Sequence, residues 1–174
     1  MTRTTGGVRL LCAWSGCFAV ALECRCAHAG GMSSPSLFAR FETEMQVRPD
    51  DIDMFDHVHS SRYMDYVLAA RYEQMARCYG MPWEAFIERG LGWYMVATQM
   101  HFKRALGLGD RFIVRTWVDS FRRDGVKVGF EIDRADTRKR SCDGWADYTL
   151  ILLATGRATP LPDDIREHYS IPVD

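Results

Sequence analysis

Only one stretch of this chain, residues 61–79, combines the length of a long helix with a continuous apolar stripe. Any fold must bury that stripe. Met64, Val67, Leu68, Tyr72, Met75 and Tyr79 recur there at three- and four-residue spacing, which sets them on one helical face. At 1.5 Å per residue such a helix is about 28 Å long. Ser60 and Ser61 precede it as capping residues, and Gly80 with Met81-Pro82 supplies a left-handed stop.

The flanking sequence supplies the surface to bury it against. Phe41, Thr43, Met45 and Val47 alternate with Glu42, Glu44, Gln46 and Arg48, a period-two strand with one inner face, ended by Pro49-Asp50-Asp51. Pro82 to Arg89 reads as a short second helix with Trp83, Phe86 and Ile87 inward. Four strands follow, predicted at 93–104, 111–120, 127–135 and 145–155. Gly107-Leu108-Gly109-Asp110, Asp124-Gly125 and Asp143-Gly144 serve as the turns. Val114, Thr116 and Val118 alternate with outward neighbours, as do Val126, Val128, Phe130 and Ile132, the pattern of a half-buried antiparallel sheet. Asp163 to His168 add one terminal helical turn. One strand, a long helix and four strands is an α+β order, and a five-stranded antiparallel sheet curled round the helix is the economical way to bury its stripe.

Composition narrows the partners. The chain has 174 residues, 47% hydrophobic and 26% charged, with a net charge of −1, so it builds an ordinary core and carries no polycationic surface for nucleic acid. The basic runs Arg122-Arg123 and Arg138-Lys139-Arg140 are read as solvated turn edges, with phosphate binding as the alternative use. Residues 1–31 differ in kind from the 32–174 domain. Arg3 and Arg9 precede an apolar run from Leu10 to Leu22, and Ala27-His28-Ala29 has the small-residue form of a signal cleavage site. Against export, Trp14 to Cys17 dilute that run, and Glu23 and Arg25 precede the cleavage site. Met32-Ser33-Ser34-Pro35 reads as a native start. The expectation is a cytoplasmic domain behind an unstructured extension, with export through residues 1–29 as the minority reading. Four of the six cysteines fall in that extension, so the domain has the sparse thiols of a reducing compartment. The apolar run is too short to span a bilayer, and no membrane association is expected.

Chemistry concentrates between Val47 and Tyr66. Asp50, Asp51, Asp53 and Asp56 fall close together, followed by His57 and His59, all in the loop leading into the long helix. A helix N-terminus offers unpaired N–H groups and partial positive charge, which stabilise an ionised carboxylate or a developing oxyanion. The loop also reads, more plainly, as an acidic capping segment. Metal binding is not expected: the stretch lacks the glycine and glutamate of a calcium loop and the His-x-x-x-His of a helical zinc site.

The same stretch resembles the signature of the 4-hydroxybenzoyl-CoA thioesterase branch of the hotdog superfamily, approximately Asp-x-Asp-x-x-Gly-His-Val-Asn-Asn-x-x-Tyr-x-x-Tyr followed by Ala-Arg-x-Glu. Asp51-Ile52-Asp53 matches the Asp pair, His57-Val58 the His-Val, Tyr63 and Tyr66 the tyrosines, and Ala70-Arg71-Tyr72-Glu73 the helical tetrad. The run from His101 to Asp110 resembles the family's strand ending in a Gly-Asp turn. The likeness covers residues 41–162 and implies a hotdog fold acting as an acyl-CoA thioesterase without a cofactor. It implies Asp53 as the catalytic carboxylate, attacking the thioester directly or activating water, and backbone N–H groups near His59, Ser60 and Ser61 as oxyanion donors. His57 is assigned to loop structure or substrate contact, with His59 the weaker candidate, and Asp51 to holding the loop. Asp56 stands where the signature has glycine, and His59 and Ser60 replace its asparagines, so a differently shaped loop is expected. The resemblance also implies a homodimer or homotetramer with acyl-CoA, or an acyl carrier protein thioester, at the subunit junction. A hotdog acyl hydratase or dehydratase and a non-catalytic acyl-CoA-binding module are the alternatives.

Overall fold

The computed structural model describes residues 38–173, so the extension at 1–31 lies outside the described residues. Strand β1 (Arg40–Gln46) runs into a 3-10 turn at Pro49–Asp51, and a loop then leads to helix α1 (Arg62–Arg77). The short helix α2 (Trp83–Glu88) precedes strands β2 (Leu91–Phe102), β3 (Arg111–Phe121), β4 (Gly125–Arg134) and β5 (Arg140–Leu152). A two-residue strand β6 (Arg157–Ala158) and helix α3 (Asp163–Tyr169) finish the described chain. The five long strands form one antiparallel sheet, as expected; their order is β1-β3-β4-β5-β2, and β6 adds to β5.

The sheet curls round α1. Bulges lie at Val118/Ser120 in β3, at Met95/Ala97 in β2 and in β5 at Ser141, opposite Ile132/Asp133 of β4; they bend a strand and increase its twist. The helix consequently meets both edges of the sheet. Tyr63 packs edge-on against Phe102 of β2, with centroids 5.2 Å apart, while Gln74 hydrogen-bonds the backbone of Phe41 in β1. Val114, Val118, Val128, Phe130, Ile132 and Leu150 supply the inner wall, each with at most 1% of its surface exposed. This is the hotdog architecture.

Two readings of the helical faces need correction. Tyr72 was placed on the buried stripe of α1, yet it is 52% exposed. The buried face is instead Tyr63, Tyr66, Val67, Ala70, Arg71, Gln74 and Met75, rotated relative to the hydrophobic stripe. The rotation follows from polar bonds. Gln74 is wholly buried; its Nε2 donates to Phe41 O (3.3 Å) and Thr43 Oγ1 (3.0 Å), and its Oε1 accepts from Thr116 Oγ1 (2.5 Å). In α2, Trp83 and Ile87 are about half exposed and Phe86 alone is buried, because a helix of six residues presents only one side to the core.

The turn expected at Asp143-Gly144 is also corrected. Both residues lie inside β5, which begins five residues earlier than its predicted start at Trp145, and the reversal occupies the segment between β4 and β5. Gly144 serves close approach instead: a Cβ there would sit 2.0 Å from Gln99 O of β2 and 2.7 Å from the Phe130 ring. Gly125, also read as a turn residue, is the first residue of β4 and likewise serves close approach, a Cβ there falling 2.1 Å from Tyr148 O, whereas Gly80 and Gly109 behave as read. Gly80 takes φ 63° after α1, with Met81 N–H bonded to Met75 O (3.0 Å), and Gly109 takes φ 77° in the β2–β3 turn.

Replacing Gln74 by Met keeps its length but leaves the buried Thr116 hydroxyl without its acceptor and takes a donor from Phe41 O and from the half-buried Thr43 hydroxyl, which keeps Glu73. We expect a loss of about 2–3 kcal/mol, from roughly 1–3 kcal/mol per unsatisfied buried group with partial relaxation, measured by urea unfolding of Gln74→Met against the parent.

Candidate functional site

The loop between the 3-10 turn and α1 folds back on itself. Ile52 and Val58 form an antiparallel bridge, and Asp53 N–H donates to His57 O (2.8 Å). Inside that small ring Asp53 Oδ1 accepts from the N–H groups of Phe55 (2.8 Å) and His57 (3.3 Å). One carboxylate oxygen thus fixes the loop, while Oδ2 has no hydrogen-bond partner among the described residues. Asp56 takes φ 58°, so the position where the family signature carries glycine keeps a left-handed backbone, which Asp tolerates better than most residues.

The ring is docked on the segment after β2. Val58 N–H donates to Leu106 O (2.8 Å), His57 bridges Gly107, and Tyr63 of α1 accepts the Leu106 N–H on its phenolic oxygen (3.2 Å). A cleft of about 380 Å³ opens along this seam, lined by Asp53, His57, Val58, His59, Ser60, Tyr63 and Phe102-Lys103-Arg104-Ala105. Asp53, His57, His59 and Ser60 are therefore brought together beside the start of α1. Ser61 is outside the lining. It already has helical torsions (φ −65°, ψ −24°) and makes no side-chain cap, because a capping side chain acts from an extended residue. The capping expected of Ser60 and Ser61 falls to His59, whose Nδ1 accepts the Ser61 N–H (3.3 Å) and lies 2.9 Å from Ser61 Oγ.

Of the three backbone donors named at the helix start, His59 N–H is bonded to Asp51 O (2.8 Å) and Ser61 N–H faces the His59 ring. Ser60 N–H has no partner among the described residues.

Asp51 is the structural carboxylate of the pair. It is 2% exposed, accepts from Arg48 Nε (2.8 Å) and the Tyr66 hydroxyl (2.6 Å), and lies 3.4 Å from Arg62 Nε. Its hydrogen bond to the Arg48 guanidinium, more than any other contact, holds its carboxyl below the ordinary value of 3.8, against the opposing effect of burial. Burial, aided by the bond to Asp51, pushes the Tyr66 phenol up to about 12. Both tyrosines of the motif thus brace the loop.

Phe102, Lys103, Arg104 and Ala105 were not singled out as site residues. The available signal was their place just before the Gly-Asp turn, whose backbone receives the Asp53 loop. Lys103 is paired with Asp143 (3.1 Å) and Arg104 with Arg140 O (3.0 Å), so both cations line the cleft while tied to β5. Of the basic runs, Arg140 is engaged by Glu131, Asp133 and Asp143, and Arg122 by Tyr148 O. Among the described residues no cluster of three or more His, Cys, Asp or Glu is placed to hold a metal ion, and no helix is long and apolar enough to cross a membrane.

A sequence profile described as the thioesterase-like superfamily matches residues 47–168, spanning the loop, α1 and the whole sheet from β2 onward. The chain belongs to that superfamily, and the enzyme class it defines is a thioester hydrolase. The fold is similar to that of a DHNA-CoA thioesterase from Staphylococcus aureus, with TM-score 0.71 and 19% identity over 75% of this chain and 89% of the other. It is similar to a 1,4-dihydroxy-2-naphthoyl-CoA thioesterase from Synechocystis, with TM-score 0.68 and 20% identity over 75% and 95%. It is also similar to a hypothetical protein from Staphylococcus aureus solved in complex with CoA, with TM-score 0.68 and 15% identity over 78% and 85%. No curated relative matches the chain.

Because the folded Asp51 carboxyl takes up its proton at lower pH than the unfolded one, the stability it contributes is fully present above the unfolded value of 3.8. It is lost as pH falls through the lower folded value. Asp51→Asn should flatten the acid limb of a plot of unfolding free energy against pH in that window, with little change in slope at neutral pH.

Proposed function

We propose that the protein hydrolyses an acyl-CoA to the free acid and CoA-SH at the cleft beside α1, with Asp53 as the catalytic carboxylate. The observation carrying this reading is the half-tethered state of Asp53. Oδ1 is held by two backbone N–H groups, which fixes the side chain, and Oδ2 is left to act in a cleft shared with the unpaired Ser60 N–H. Superfamily membership and the CoA complex of a structural relative support the substrate class.

In this mechanism the thioester carbonyl lies between Ser60 N–H and Asp53. Asp53 either adds to the carbonyl carbon and the C–S bond breaks, giving a mixed anhydride that water then opens, or it takes a proton from water that adds to the carbonyl, after which the C–S bond breaks. On both routes the sulfur leaves as thiolate, to be protonated as CoA-SH. Negative charge on the carbonyl oxygen is stabilised by Ser60 N–H and the positive end of α1, a contribution typically of about 3–4 kcal/mol. His57 shapes the loop through its backbone and offers its exposed ring to substrate. Lys103 and Arg104 supply positive charge for the CoA phosphates.

The active form in this proposal is a homodimer or homotetramer. β2 is an edge of the sheet, twelve residues long, and exposes Tyr94, Val96 and Phe102, the kind of unpaired apolar edge that proteins cover. A second copy pairing there brings its residues beside Phe102 and the cleft, and CoA lies along that junction.

Asp53→Asn should lower thiol release from a panel of acyl-CoA substrates by about 10²–10⁴-fold, with unchanged unfolding. Ser60→Pro, which removes the backbone N–H together with the hydroxyl, should lower kcat by about 10²–10³-fold relative to Ser60→Ala, which removes the hydroxyl alone. Wild-type turnover in Asp53→Asn would end the assignment, and a change in crotonyl-CoA absorbance without thiol release would indicate hydration instead.

A further inference from the structure

A second cavity lies further along α1, away from the Asp53 cleft. It holds about 210 Å³ and is lined by Leu68, Arg71, Tyr72 and Met75 of α1, Trp93 and Met95 of β2, Val126 of β4 and Tyr148 of β5. The wall is apolar and aromatic except at one point. Arg71 is 7% exposed, its Nη1 is cut off from solvent with no hydrogen-bond partner, and none of its nitrogens has an ion pair or hydrogen bond among the described residues. The Tyr148 hydroxyl, on the same wall, likewise has no hydrogen-bond partner among the described residues.

A guanidinium mostly shielded from water and left unpaired is a costly group for a fold to bury. The sheet offers carboxylates to other arginines: Arg115 and Arg140 share Glu131 and Asp133 on the outer face. Arg71 faces none among the described residues. What completes it therefore comes from outside them, carries an acceptor that fits a planar fork of donors, and brings an apolar body for the rest of the wall. Volume sets the size of that body, since a cavity of about 150 Å³ accommodates benzene, and this one has room for a ring and one small substituent.

We infer that this cavity is a binding site for a compact monocarboxylate of benzoate size, its carboxylate on Arg71 with the Tyr148 hydroxyl beside it and its ring against Met75, Trp93 and Val126. The inference concerns binding and stands apart from the hydrolytic role of Asp53.

The test uses the full-length protein and two ligands of equal bulk, benzoate and benzyl alcohol, titrated by calorimetry and by the fluorescence of Trp93, with Trp93→Phe as the optical control. Benzoate should bind more tightly than benzyl alcohol. Arg71→Met should weaken benzoate by at least about tenfold, since a hydrogen bond to a charged group is worth roughly 1.5–3 kcal/mol. It should leave benzyl alcohol within about twofold and should not lower the thermal midpoint, because it replaces an unpaired buried charge by an apolar chain. Asp53→Asn should bind benzoate as the parent does. Equal binding of the two ligands, or unchanged benzoate affinity in Arg71→Met, would overturn the inference. So would absence of benzoate binding together with an Arg71→Met protein that dissociates into monomers, which would give the guanidinium to a subunit contact.

Discussion

The side-chain amide of Gln74 fixes how α1 sits in the sheet, and the rest of the molecule follows from that setting. A helix packed by apolar contacts alone can turn by some tens of degrees at little cost. One whose buried amide is shared between Phe41 O, Thr43 and Thr116 cannot, because each bond lost leaves a group unsatisfied away from water. The chain of bonds continues outward, since Thr43 Oγ1 donates to Glu73, which in turn holds Arg77. With that end pinned, Tyr66 meets Asp51, Tyr63 meets Leu106, and the N-terminus of α1 arrives beside Asp53.

The two carboxylates of the Asp-x-Asp pair, separated by one residue, end in opposite environments. Asp51 is buried and fully employed, with Arg48, Tyr66 and Arg62 around it, while Asp53 spends one oxygen on its own turn and presents a cleft with the other. The division is mechanical: the same short ring of backbone bonds that fixes Asp53 relies on His59 N–H reaching Asp51 O. Burial of one carboxylate and exposure of the other to the cleft are thus set by which side of a single bridge, Ile52 to Val58, each falls on.

Strand alternation made most of the sheet legible in the sequence, because inward residues such as Val126, Val128, Phe130 and Ile132 of β4 are apolar. The central helix was legible by length, but not its rotation: a hydrophobicity pattern nominates Tyr72 and passes over Gln74, and only the partners Thr43 and Thr116, distant in sequence, reverse that order. The Asp53 loop was legible as a motif. Its partner segment, Phe102 to Ala105, was not, since nothing in its composition announces that the loop docks on it. Asp143-Gly144 misled for a related reason. A glycine after an aspartate has the form of a turn, whereas here the missing side chain makes room for a neighbouring strand.

That vacancy at residue 144 has a consequence for how the protein can vary. Gly144 pairs with Met100, and the same strand continues through Phe102 into the rim of the Asp53 cleft. A side chain at 144 has no space before it meets the carbonyl of Gln99, so accommodating one means levering β2 away from β5. The floor of the cleft would tilt with it. A position that touches neither carboxylate nor cleft therefore acts as a spacer for the whole site, and mutations that leave every lining residue intact can still spoil its shape from behind.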